Sequence, residues 1–282
     1  MIENRPWLTF VSHLSLLLGI AMVALPVWVA LVASTHASDA FGAGHIPLWF
    51  GDQGHENWSQ VLFSKAGNGI DVPVWYMMIN SFIMALGITI GKLAISIISA
   101  YAIVFFRFPF RGLAFWTIFI TLMLPVEVRI VPTYEVIAKL DMLDSYTGLI
   151  LPLIASATAT FLFRQCFMTV PGELVEAARI DGAGPIRFFF DILLPLSRTN
   201  IAALFVIMFI YGWNQYLWPL IVTTDDAYYT LVMSIKRMLS VEQGEVEWNK
   251  VMVTTLLAML PPILVVVGMQ KLFVKGLVDA EK

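Results

Sequence analysis

The sequence predicts an all-α polytopic membrane protein with six transmembrane helices, and three observations predict it. Hydrophobic residues make up 59% of the 282-residue chain and charged residues only 13%, about half the charged share of a soluble domain. The apolar residues gather into runs long enough to cross a bilayer, which takes about 20 residues. The segments between the runs are polar, and none carries a composition shift that marks a boundary, so residues 1–282 read as one transmembrane domain. A net charge of −3 with no basic stripe excludes nucleic acid as a partner. The single cysteine, Cys166, rules out an internal disulfide framework and a cysteine-built metal cluster.

The first run, residues 8–33, follows Arg5. It is too long for a signal-peptide core of about 7–15 residues, so a retained span kinked at Pro26 is expected. The polar stretch 34–74 carries His36, His45 and His55 at spacings that match no compact ligand set, and a structural or solvated role is expected for them. The second span, 75–105, is longer than a bilayer requires, so it tilts or protrudes. Lys92 lies near its middle among Gly87, Gly91, Ser96 and Ser99. Such a lysine should face the bundle interior, either on a water-filled path or paired with a neighbouring helix or subunit.

A third span is expected at 113–133, broken by Pro125 and Pro132 around Glu127 and Arg129. Arg129 there would either attract an anionic substrate or form a charge pair with Glu127 or a partner chain. Residues 134–145 read as an interfacial amphipathic helix with Tyr134, Ile137 and Leu140 on one side. The fourth span, 146–168, is rich in Ala, Ser and Thr, which permits close helix packing in lipid. The fifth, 199–222, carries Tyr211-Gly212-Trp213-Asn214-Gln215-Tyr216. Trp213, Asn214 and Gln215 suit a polyol or phosphate ester, or else belong to an interfacial aromatic belt. The sixth span, 251–270, is kinked at Pro261-Pro262.

Between the fourth and fifth spans lies a polar island, residues 169–197. Pro171 can open a short helix, Glu173 suits the positive end of its dipole, and Gly182 is the natural left-handed stop. Glu173, Glu176 and Arg179 share one face, while Leu174, Val175, Ala177 and Ala178 populate the others. Pro185 can start a second helix and Pro195 end it, with Ile186, Phe189, Phe190 and Leu193 making an apolar face. Small residues let another protein surface approach the backbone, so this is a docking element more than an active site.

The pattern Glu176-Ala177-Ala178, then Asp181-Gly182, then Ile192, Leu194 and Pro195 resembles the cytoplasmic coupling-loop signature of binding-protein-dependent ABC importer permeases. It matches at every signature position, and the resemblance extends from the first span to Gln270–Leu277. More narrowly, Met123–Arg129, Asp144-Ser145-Tyr146 and Tyr211–Leu220 resemble the second permease subunits of sn-glycerol-3-phosphate importers, in the carbohydrate-uptake branch that also holds the smaller maltose permeases. The resemblance implies a type I importer permease fold. It also implies a second homologous permease subunit, two ABC ATPase subunits and a periplasmic or lipid-anchored substrate-binding protein. ATP and Mg would be used by the partner ATPase, and this chain would bind no cofactor. Glu176 would make polar contact in a cleft of the ATPase, Ala177 and Ala178 would allow close approach, and Gly182 would fix the turn. Maltose-like sugars are the competing substrates within the class.

Placing both termini in the cytoplasm of a bacterial inner membrane puts ten of the 17 Lys and Arg residues inside and six outside, with Lys92 within the membrane. The polar island then lies on the ATPase side. The chain has no Gly-x-x-x-x-Gly-Lys-Ser/Thr stretch, no His-Glu-x-x-His and no Gly-x-Ser-x-Gly. A non-catalytic transport subunit is therefore expected. A membrane-embedded enzyme would need Lys92, Glu127, Arg129 and Glu176 at one depth, and a stand-alone carrier would have no use for a coupling loop.

Overall fold

The computed structural model describes residues 6–44, 47–67, 69–121, 126–240 and 245–279. Among these residues the secondary structure is helical, with one isolated bridge between Gly67 and Ile70. The helices are α1 (Pro6–Ala33), α2 (Gly54–Phe63), α3 (Val74–Phe105), α4 (Arg111–Ile120), α5 (Val126–Lys139), α6 (Tyr146–Ile150) and α7 (Ala157–Met168). They continue as α8 (Gly172–Ile180), α9 (Pro185–Phe188), α10 (Leu194–Leu196), α11 (Arg198–Trp213), α12 (Leu217–Val222), α13 (Leu231–Met238) and α14 (Trp248–Asp279). The chain forms two compact units, Met1–Met77 with Ser234–Leu260, and Met78–Met233 with Pro261–Lys282.

Among the described residues three helices are long and apolar enough to cross a bilayer: Trp7–Ala33, Val74–Phe105 and Trp248–Gln270. Two bent pairs pass the same test together, Tyr146–Leu153 with Ala157–Met168 at 49° and Pro185–Leu196 with Arg198–Trp213 at 73°. Length and composition thus support three to five spans. Of the predicted third span, α4 and α5 are the described parts; residues 122–125 between them, with the expected break at Pro125 and the Met123-Leu124-Pro125 part of the resemblance, lie outside the described residues. Ten residues of α4 rise about 15 Å, half the hydrocarbon thickness. Pro132 does not break its segment, and Pro26 and Pro261-Pro262 likewise lie inside continuous helices. Proline is tolerated in membrane helices because neighbouring groups re-satisfy the freed carbonyls. The expected interfacial helix is the end of α5: Ile137 is buried, whereas Leu140 just beyond it is exposed. The fifth span is interrupted at Asn214–Tyr216 rather than running through to 222.

In the first unit, α1 leaves most of its large apolar side chains uncovered, Trp7 and Met22 among them, the surface a span offers to lipid. Its polar end is held by Asn57, whose Nδ2 donates to the carbonyls of Ser34 (3.0 Å) and His36 (2.8 Å). His36 is tied through Nε2 to the Trp49 carbonyl at 2.8 Å, and His45 lies outside the described residues.

The second unit is built on α3. Gly87 and Gly91 lie one turn apart and receive Ile150 and Ile154; a methyl at either would stand 2.6 or 2.5 Å from those side chains. One core gathers Met84, Ile88, Ile137, Leu149, Trp218 and Val222. The other gathers Leu93, Ile97, Phe163, Phe167, Leu193 and Met208, and it takes in Ala178 and Phe188 from the polar island. That second core anchors the candidate coupling segment to the membrane helices.

Candidate functional site

Pro171 occupies the N-cap of α8 (φ −58°, ψ 135°), so helix begins at Gly172 rather than at the proline. Glu173 sits in the first turn and Arg179 in the last, both matched to the helix dipole. At the other end Gly182 adopts φ +74°. Its N–H donates to the Arg179 carbonyl at 3.1 Å, and the Ala183 N–H donates to the Ala178 carbonyl at 2.9 Å. These are the two bonds of a Schellman stop, and Ala183 packs on the same core as Ala178, the apolar contact that accompanies it.

The two alanines of Glu176-Ala177-Ala178 face opposite ways. Ala178 is only 4% exposed and is turned into the chain's own core. With Val175, Ala183 and Phe188 it lines a hollow of about 520 Å³ against Tyr101, Phe105 and the guanidinium-bearing Arg107 and Arg179. The Tyr101 hydroxyl donates to the Pro185 carbonyl at 2.8 Å, which ties the end of α3 to the start of α9. The opposite face of α8 carries Glu173, Glu176, Ala177 and Ile180, all exposed, at i, i+3, i+4 and i+7. Ile180 is 86% exposed. Asp181 caps the helix and is also exposed.

Beyond α9 the backbone forms a π-turn over Phe189–Leu193 and reaches Pro195 in α10. Proline removes an N–H and crowds the carbonyl four residues back, and a wider turn just before it relieves both. The π-turn also resets the apolar face. Phe188 and Leu193, five apart, point inward, while Ile186 and Phe190, expected to share that face, are exposed. Ile192 and Leu194 are half-buried and Pro195 is exposed. The chain then bends by 73° into α11.

The candidate pathway residues separate. Trp213 is buried and stacks on Phe209 with centroids 6.1 Å apart, so it is core. Asn214 is exposed at the end of α11, and Gln215 donates through Nε2 to the Tyr211 carbonyl at 3.1 Å. Arg129 is exposed on α5; Glu127 lies in the same helix, its side chain outside the described residues. Gly212 faces the α3 backbone, where a Cβ would lie 3.0 Å from Ala85 Cα. This close approach sets the neighbouring Tyr211 ring over Lys92, with Nζ 3.5 Å from the ring centroid.

Residues 92–279 match the family of binding-protein-dependent transport system inner membrane components, a stretch that holds both Lys92 and the whole candidate coupling segment. The chain belongs to this family. It is 60% identical over 282 residues, all of both chains, to the sn-glycerol-3-phosphate transport system permease protein UgpE of Escherichia coli K12. It is 59% identical over the same length to the protein of that name in Shigella flexneri serotype 5b. Its fold matches a chain of a bacterial ABC transporter involved in import of the acidic polysaccharide alginate, with a TM-score of 0.80 and 20% identity over 96% of this chain and 99% of that one.

This permease holds one polar device that its sequence did not announce as a site. Asp144, at φ +48°, accepts hydrogen bonds from the Thr224 N–H (2.6 Å), the Thr224 hydroxyl (2.7 Å) and the Asp225 N–H (2.9 Å). Nearby, Asn80 donates to the carbonyls of Ala227 and Tyr229 and accepts from the Tyr146 hydroxyl at 2.6 Å. Burial works against the Asp144 charge, but the three donors outweigh it and hold its carboxyl below the usual carboxylate range. Separations of 66 to 149 residues hid these partners from any local pattern.

Proposed function

We propose that this chain is one of two membrane subunits of an ATP-driven importer of sn-glycerol-3-phosphate and related glycerophosphodiesters. The observation that carries the reading is 60% identity along the whole chain to a permease of that named system. In this reading the chain is not catalytic. A second homologous permease completes the pathway, two ABC ATPase subunits hydrolyse ATP with Mg, and a periplasmic or lipid-anchored protein delivers the substrate.

Both termini lie in the cytoplasm. The exposed face of α8, Glu173, Glu176, Ala177 and Ile180, enters a cleft on the ATPase. Ala178 and the Gly182 stop act from behind, by fixing that face on the core that reaches α3 and α11. Closure of the ATPase dimer then moves the segment as a rigid body and switches the pathway from inward- to outward-facing. Arg129, Asn214 and Gln215 border the pathway, with Glu127 as a charge partner.

The test is purification through a tag on this chain in mild detergent, followed by uptake in vesicles. Recovery of a P-loop ATPase and a second permease, with ATP-dependent uptake of sn-glycerol-3-phosphate, is expected. Uptake of maltose instead would reassign the substrate, and transport by this chain alone would overturn the coupling scheme.

A further inference from the structure

We propose that Lys92, with Tyr211 and Arg129, forms a subsite of this chain for the phosphate group of the transported ester; the inference rests on the substrate reading above. Lys92 lies near the midpoint of the 32-residue α3 and is only 6% exposed. A cation at that depth is costly and marks a functional path by default. Its ammonium lies over the Tyr211 ring face, with Nζ 3.5 Å from the ring centroid. A ring face stabilises the charge but accepts none of the three N–H bonds an ammonium can donate. Among the described residues no carboxylate pairs with it. The charge that acts on it is that of Arg129, a second cation.

Two cations on one side of the ledger, with a π-face behind one of them, complement a phosphate monoester, which brings up to two negative charges and three acceptor oxygens. The arrangement is set by backbone packing. Gly212 abuts Ala85 and so fixes the Tyr211 ring, and the ring holds the ammonium in place. A lipid phosphate does not suit the position, since head groups lie at helix ends and Lys92 lies mid-helix. A subsite made of one ammonium on a ring face and one arginine also binds loosely enough to release its ion, as a conducting path requires.

The experiment uses the complete importer, with both permeases, the ATPase and the binding protein, in phosphatidylcholine vesicles supplied with labelled sn-glycerol-3-phosphate. Lys92→Met is expected to raise the half-saturating concentration about tenfold, the loss of one charge-assisted contact. Lys92→Arg should recover most of it. ATP hydrolysis stimulated by the binding protein, and the melting temperature of the complex, should hold in both variants, because the cation–π contact that Lys92→Met loses is small and is offset by the desolvation cost of the buried charge that goes with it. Unchanged uptake by Lys92→Met overturns the subsite alone. A lowered melting temperature or loss of the partner permease also overturns it, by showing that a protein carboxylate already neutralises Lys92. If the unaltered complex does not take up sn-glycerol-3-phosphate, the substrate reading itself falls, and the subsite with it.

Discussion

Asp144 shows how one side chain joins segments that the chain keeps far apart. Its carboxylate collects three donors from Thr224 and Asp225, 80 and 81 residues away, and its own N–H donates to the Val222 carbonyl at 3.1 Å. Charge-assisted bonds of this kind contribute about 1.5–3 kcal/mol each when well made, and less at a half-exposed site. Asp144→Asn isolates the charge, because asparagine tolerates the positive φ that aspartate adopts here. It should lower the stability of the folded chain by about 1–2 kcal/mol at neutral pH. The pH dependence has a definite sign. A carboxylate whose folded pKa is depressed contributes fully above its unfolded value, near about 4, and loses the contribution as pH falls through the folded one. Thermal melts should therefore keep wild type and variant apart from neutral pH down to about 4 and bring them together only below that. Parallel melts converging already at pH 6 would show that the carboxylate charge does not hold the loops.

At the scale of the element, the candidate coupling segment depends on a stop that only a few residues can make. Gly182 sits at φ +74° with nothing within 4 Å of where a Cβ would be, so a larger residue meets backbone strain and no clash. Gly182→Val puts a β-branched residue in the left-handed region at a cost of about 1–2 kcal/mol. The local escape is to abandon the Schellman stop and swing α8. The variant should insert normally and still hydrolyse ATP in the assembled complex, with uptake reduced about tenfold or more, while Gly182→Asn, which tolerates this φ, should retain most uptake. Equal uptake in Val and Asn variants would detach the turn from coupling. The left-handed glycine, the short helix before it and the helix start at Pro185 were legible from local chemistry, because each answers to a residue within a few positions. The opposite orientation of Ala177 and Ala178 was not, since both are small and helical, and only the distant Tyr101, Phe105 and Phe188 decide which one turns inward. The π-turn before Pro195 likewise shifted an apolar face that a 3.6-residue period assigns to Ile186 and Phe190. Long apolar runs gave α1 and α3 nearly to their ends and the start of α14, whereas Pro132 was a poor guide to a break, since it lies inside α5.

For the whole molecule, the number of crossings decides whether the exposed face of α8 can meet the proposed ATPase, and α4 with α5 is the place where the count turns. Arg198, at the head of α11, and Glu245, in the stretch before α14, are both exposed, and if the bent pair that ends in α11 crosses the membrane through α11 they lie on opposite sides of it. Arg111 is separated from Arg198 by the bent pair α6–α7 and by residues 113–133. If 113–133 crosses, Arg111 and Arg198 share a side; if it does not, Arg111 shares a side with Glu245. The basic cluster of Arg107 and Arg111 favours the first case, since short loops rich in arginine stay in the cytoplasm. The chain's single cysteine makes the question direct. In a Cys166→Ala background, Arg111→Cys, Arg198→Cys and Glu245→Cys would each be exposed to a membrane-impermeant thiol reagent in spheroplasts. Glu245→Cys should label at once, and Arg111→Cys and Arg198→Cys only after the membrane is permeabilised. Labelling of Arg111→Cys in intact spheroplasts would leave five crossings and place α4 as a half-depth helix. Labelling of Arg198→Cys there would put the exposed face of α8 on the periplasmic side, where no ATPase can reach it.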